Sequence, residues 1–198
     1  MSTTARTSPV AALAPRPRSP EGRIARRRAL YHLTAPVAVL TVRHGSQLHG
    51  TTVSALGTVS REPLLLGACL RTGSQFAALA AEAGRYTVNV LAADQAELAR
   101  YFSDGSRPAG AAQFAPWAWT ADPYAHAPRL EGALAHYTCR LAGQTRTGDH
   151  SLLVGLVTHA AVGRGEPLIS YTGGLFTGPL APARDPGPGR HTRKETAA

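Results

Sequence analysis

Short apolar runs rich in β-branched residues recur along most of this chain, and turn residues separate most of them. PVAVLTVR (36–43) runs into His-Gly-Ser, LHGTTVSALGTVS (48–60) stops at Glu62-Pro63, and LLLGACL (64–70) follows at once. YTVNVL (86–91), ALAHYTCRLAG (133–143), SLLVGLVTHAAV (151–162) and PLISYTG (167–173) bring the tally to six or seven strands. Within the long 48–60 run, Gly50 and Gly57 allow a bend or bulge. Two segments read as main helices. GSQFAALAAEAG (73–84) has Ser74 as its N-cap, and DQAELARYF (94–102) opens on Asp with Glu three residues later, as in a capping box. Strands that arrive in runs argue against a doubly wound parallel sheet. They predict a mainly β, largely antiparallel barrel with peripheral helices.

The ends of the chain read differently. Residues 1–25 are rich in Pro, Ser and Arg without periodicity and are expected to be a disordered basic tail; 181–198 are expected to be a second one. RIARRRALYHL reads as a short helix leading into a single domain over 26–180. The net charge of +9 points to nucleic acid until it is located. Residues 1–28 carry seven Arg against one Glu, and 181–198 carry four basic against two acidic residues, which leaves +1 for the folded part. That distribution disfavours a nucleic-acid partner. No apolar run nears the ~20 residues of a membrane helix, and the N-terminus lacks the apolar core of a secretory signal, so a cytoplasmic protein is expected. Cys69 and Cys139 have no metal-type or CxxC spacing and read as buried free thiols.

Polar residues gather at four places. In His49-Gly50-Thr51-Thr52-Val53-Ser54, continuing to Ser60, alternation puts Thr52, Ser54, Thr58 and Ser60 on one face if no bulge intervenes. Arg71-Thr72-Gly73-Ser74 stands at a helix start, where unpaired amides suit a phosphate; it is equally an ordinary capped helix. Gly148-Asp149-His150 precedes an apolar strand, with His150 able to meet a ligand and Asp149 able to fix its geometry. A hairpin turn explains the same residues. Tyr171-Thr172-Gly173-Gly174 can wall a flat-ligand pocket or simply close a barrel. His136 and His159 read as structural, no cluster has metal spacing, and there is no GxGxxG or Walker loop.

Taken in order, PVAVLTVRHGSQLHGTTVSALGTVS, CLRTGS, GRYTVNVLAADQAELARYF, LEGALAHYTCRL, GDHSLLVGLV and Tyr-x-Gly-Gly resemble the flavin reductase-like family. The resemblance is to the small reductase components of two-component flavin-dependent monooxygenases. It implies an antiparallel Greek-key split β-barrel (the FMN-binding split barrel), a homodimer, and hydride transfer from NADH or NADPH to FMN or FAD. Reduced flavin would then pass to a partner monooxygenase. It also implies that His49, Gly50, Thr51, Thr52, Val53 and Ser54 line the ring and ribityl region. Ser60, Arg71 and Ser74 would stand near the ribityl and phosphate groups, His150 near flavin and nicotinamide, and Tyr171 beside the pocket. Three positions depart from the family pattern: Phe76 stands where a Thr is common, Ala35-Pro36 where Gly is common, and Leu175 precedes Phe176 where an aromatic is common. These departures keep a second reading open, a flavin- or ligand-binding barrel turned to carriage or to non-redox catalysis.

Overall fold

The computed structural model describes residues 19–178 and 180–182; the expectations for 1–18 and 183–198 lie outside the described residues. The described chain opens with α1 (Pro20–Leu30), where the Ser19 hydroxyl accepts the Gly22 amide at 3.1 Å and Pro20 takes the first turn. The helix starts earlier than composition places it, because the Ser-Pro pair is itself a start signal. Next come β1 (Ala35–Pro36), β2 (Ala38–His44) and β3 (Gln47–Val53), then β4 (Leu56–Arg61) and β5 (Leu64–Arg71). Helix α2 (Gln75–Ala83) leads to β6 (Arg85–Val90), and a 3-10 turn (Ala93–Gln95) leads into α3 (Ala96–Ser103). A second 3-10 turn (Gly110–Phe114) precedes the small hairpin β7 (Trp119–Ala121) and β8 (Pro128–Leu130). The long hairpin β9 (Ala135–Thr147) and β10 (His150–Val162) follows, then β11 (Ile169–Tyr171) and β12 (Gly174–Phe176).

Seven strands form one antiparallel sheet in the order β3-β2-β6-β9-β10-β5-β4. Strands β3 and β4 hold its opposite edges, yet only Ser54 and Ala55 separate them in sequence, so the sheet must curl until its edges meet. At that corner the Cys69 amide donates to the Ala55 carbonyl at 2.9 Å. The chain itself closes the barrel there. The β9–β10 hairpin lies between β5 and β6, which makes the α2 connection a Greek-key crossing. The split barrel expected from the sequence is the fold observed.

Two local readings change. The 48–60 run is two strands, broken at Ser54-Ala55, with a further register shift between Thr58 and Ser60. The expected alternation from Thr52 to Ser60 on one face therefore fails. Likewise, Asp94 does not cap the helix that follows. The Gln95 side chain instead accepts the Ala92 amide at 3.0 Å, and α3 begins at Ala96.

Strand β2 is buried on both sides, which explains its unbroken apolar run. Ala38, Leu40 and Val42 face the barrel interior, where α2 buries Phe76, Ala77, Leu79 and Ala80 against them. Val37 and Val39 face a second core with Leu98, Phe102, Phe114 and Leu130. Between these layers Asn89, fully buried, donates to the Val39 carbonyl at 3.0 Å and accepts from the Leu130 amide at 2.9 Å. That network holds β8 on the sheet, and His136 joins it through Nδ1 at 2.9 Å from Asn89 Oδ1.

Candidate active site

The end of β3, the β5–α2 turn, the start of β10 and the segment after α3 converge on a cleft of about 620 Å³. His49, Thr51, Thr52, Val53 and Ser54 form its β3 wall, and Arg71, Ser74 and His150 stand on the other side. The structure thus gathers residues that sequence reasoning placed in three separate motifs. A second groove of about 450 Å³ shares Thr52, Ser54 and Ser103 with the cleft and continues to Gly173, Gly174 and Leu175.

The Gly148-Asp149 pair is indeed a hairpin turn: Thr147 faces His150 across it, and Gly148 takes a φ of 68°, which favours glycine. It is also part of the site, because register sets His150 opposite Arg71 and the Thr72 amide donates to the Asp149 carbonyl at 2.9 Å. The half-buried His150 places Nδ1 2.8 Å from Asp149 Oδ1, which leaves Nε2 free for a ligand. The imidazole beside Asp149 holds that carboxyl below its usual range. Asp149 is exposed and orients His150 without lining the cleft.

At the β5–α2 turn, the Ser74 hydroxyl accepts the Ala77 amide at 3.5 Å, which leaves its own proton to donate. Gly73 takes a φ of 82° so that the turn can close. Phe76, where the family pattern has a Thr, is fully buried against Tyr86, so its side chain belongs to the core and not to the cleft.

Strand β3 is an edge strand, and its free side is capped by side chains. The Gly50 amide donates to Gln113 Oε1 at 2.9 Å, Arg107 donates to the Gly50 carbonyl, and Gln113 Nε2 donates to the Leu48 carbonyl at 3.0 Å. Parity along the strand turns the backbone groups of Thr52 and the Ser54 amide to that same open side, toward the cleft. Gly50 itself serves packing: a Cβ there would lie 2.7 Å from Phe102 Cε1 and 3.2 Å from Phe114 Cζ. Unlike its neighbours His49 and Thr51, it does not line the cleft. The Thr52 hydroxyl donates to the Ala99 carbonyl at 2.8 Å and pins α3 beside the strand.

Two further expected residues stand elsewhere. Ser60 lies beyond the break and the register shift, on β4 at the opposite sheet edge, and does not line the cleft. Tyr171 belongs to the three-stranded sheet β1-β11-β12 and packs on His32 and Phe176, outside both cleft and groove. His159 is distant from the site, stacked on Tyr124 at 3.4 Å.

Sequence reasoning missed Arg107, Gln113 and Gln75, and it misread Cys69, which is half-buried and lines the cleft. Arg107 and Gln113 sit in SDGSRPAGAAQF, a stretch with no periodicity, so only their spatial return to β3 reveals them. Burial, with the Arg107 charge adding to it, pushes His49 down to about 4, so the cleft presents a neutral imidazole there. Burial pushes the Cys139 thiol up to about 12, as expected of a core cysteine.

A peptide edge, a helix start with hydroxyl and guanidinium donors, and a cleft of this volume fit a flat ligand carrying a phosphate. The adjoining groove gives a second ligand room alongside. These features define a split barrel with two adjoining ligand-sized pockets. The family model described as "Flavin reductase like domain" matches residues 30–179, and the chain belongs to that family. It is 37% identical to an NADPH-flavin oxidoreductase of Streptomyces viridifaciens, over 77% of this chain and 81% of that one. It is 33% identical to the reductase component of a 4-nitrophenol 4-monooxygenase/4-nitrocatechol 2-monooxygenase of Rhodococcus opacus, over 74% and 76% of the two chains. The crystal structure of BorF, the flavin reductase component of a bacterial two-component tryptophan halogenase, superposes with a TM-score of 0.75 at 29% identity, covering 80% of this chain and 99% of BorF.

Proposed function

We propose that this chain is an NAD(P)H:flavin oxidoreductase that supplies reduced flavin to a partner monooxygenase. The observation that carries the reading is the union of the cleft and its adjoining groove, with Thr52, Ser54 and Ser103 as shared walls. Flavin, FMN or FAD, supplies the hydride acceptor when bound, and NADH or NADPH the donor. The protein's own residues orient and exclude. The Thr52 and Ser54 backbone would hold the ring edge, Arg71 and Ser74 would hold the phosphate end, and Ser103 at the α3 terminus would wall the contact between the two ligands. His150, with Nδ1 fixed on Asp149, directs Nε2 into the cleft to position the nicotinamide, a role that needs no proton transfer.

The cleft is open and its walls are polar, which suits a flavin that enters and leaves. A homodimer is part of the proposal. Ile24, Leu30, Tyr31 and Leu33 on and after α1 are more than half exposed, an apolar surface that a second copy would cover. Sedimentation tests it, with a dimer mass expected and a monomer at micromolar concentration contradicting it. No helix among the described residues is long and apolar enough to cross a membrane, and the free thiols Cys69 and Cys139 suit a reducing compartment such as the cytoplasm.

Loss of nicotinamide absorbance in the presence of FMN or FAD tests the activity. Turnover is expected with at least one of the four pairings. Flavin binding with no turnover in any of them would favour the carrier reading.

A further inference from the structure

The reaction outlined above leaves Arg107 without a task. Its half-buried guanidinium spends three of its five N–H groups: one on the Gly50 carbonyl, one on the Asp104 carbonyl at 2.5 Å, one on Gln113 Oε1 at 3.4 Å. It also lies 5.7 Å from the centre of the Phe102 ring. None of those acceptors is charged, and among the described residues no carboxylate forms an ion pair with it. The Asp104 carboxylate acts on the guanidinium through space without pairing with it, and takes its hydrogen bonds from Ser106, whose amide and hydroxyl both donate to it at 2.8 Å. His49 alongside is neutral. The result is a planar cation held rigidly by neutral groups, with one N–H left on each terminal nitrogen. That is a fork suited to an oxyanion.

Its position says which oxyanion. Arg107, His49 and Gln75 line both the main cleft and a recess of about 220 Å³ beside it, at the α2 end of the β3 wall. Ser74 and Arg71 line the same cleft. The adjoining groove lies at the other end of β3, at Thr52 and Ser54.

We propose that Arg107 binds the phosphate of the flavin nucleotide, holding it against Arg71 and Ser74. The inference rests on the flavin reductase reading of the cleft, and the test separates the two. Riboflavin and FMN share a ring and differ by the phosphate. Their dissociation constants are measured by fluorescence quenching, without nicotinamide, for the native protein, Arg107→Gln and Arg107→Lys. Steady-state KM for the nicotinamide is a third readout. Arg107→Gln is expected to weaken FMN binding by about tenfold or more, with riboflavin binding changed by no more than about twofold. Arg107→Lys keeps the charge without the fork and is expected to recover part of the loss. If the Gln variant does not fold, Arg107→Lys carries the test alone, with a severalfold loss for FMN only. Equal losses for riboflavin and FMN would show that Arg107 acts only by bracing β3, and would overturn the proposal. Unchanged FMN binding, or an effect confined to the nicotinamide KM, would overturn it too. A native protein that binds neither flavin would instead overturn the reading of the cleft itself.

Discussion

The amide of Thr72 donates to the carbonyl of Asp149 across 2.9 Å, fastening the turn that opens α2 to the turn that opens β10. With the antiparallel pairing of Arg71 and His150, it makes a helix start and a hairpin turn into one wall. Each turn has an ordinary structural explanation alone. Their joint use explains why a titratable pair stands at the mouth of an apolar strand.

In the proposed function His150 would act at the nicotinamide, and Asp149 through it. His150→Ala is expected to lower the hydride-transfer rate by about tenfold or more, as loss of ligand positioning does, with flavin affinity little changed. Asp149→Asn should lower the same rate by less, because an amide still accepts from Nδ1. Anaerobic stopped-flow separates the two quantities. An unchanged rate in His150→Ala would show that His150 has no part in hydride transfer.

Gly50→Ala tests the packing reading of that glycine. Its new methyl would press on the Phe102 and Phe114 rings, both fully buried. A loss of about 1–3 kcal/mol is expected, the usual cost of overpacking a tight core. Thermal or denaturant unfolding measures it, and an alanine variant as stable as the native chain contradicts it.

Stability should fall in mild acid. Burial pushes both His49 and His136 down to about 4, against an ordinary value of 6.5. Between these values the unfolded chain binds protons that the folded chain does not. The stability from neutral burial is therefore complete above about pH 6.5 and is lost as pH falls toward 4. The unfolding midpoint is expected to drop over that window, and less steeply in His136→Gln. An identical slope in that variant removes His136 from the effect.

The thiols should differ in accessibility. Cys69 lines the cleft and Cys139 is fully buried with its thiol pushed up to about 12. Iodoacetamide is expected to label Cys69 first, and saturating FMN to slow that labelling. Mass spectrometry of the modified peptides reads both. Labelling that FMN does not slow places the flavin away from Cys69.

The barrel was legible because β-branched runs and turn residues are local signals, and the order of the motifs carried the family. The start of α2 was legible for the same reason, since Ser74 caps it within four residues of sequence. Legibility failed where distant segments decide the outcome. Ser60 shares the alternation of Thr52 and Ser54, but the break at Ser54-Ala55 carries β4 to the opposite sheet edge. Arg107 and Gln113 lie in an aperiodic loop, and their value comes from meeting the backbone of Gly50 and Leu48. Gly50 looks like a ligand-wall residue until the two rings behind it are seen.

In the proposed reaction hydride passes from nicotinamide to flavin within the cleft between β3, the α2 start and the β10 turn. Anaerobic mixing of the protein and flavin with nicotinamide deuterated at the transferred position tests it most directly. Bleaching of the flavin absorbance well above the protein-free rate, slowed by the deuterium, is expected. Bleaching no faster than without protein, for FMN and FAD with both NADH and NADPH, would contradict it.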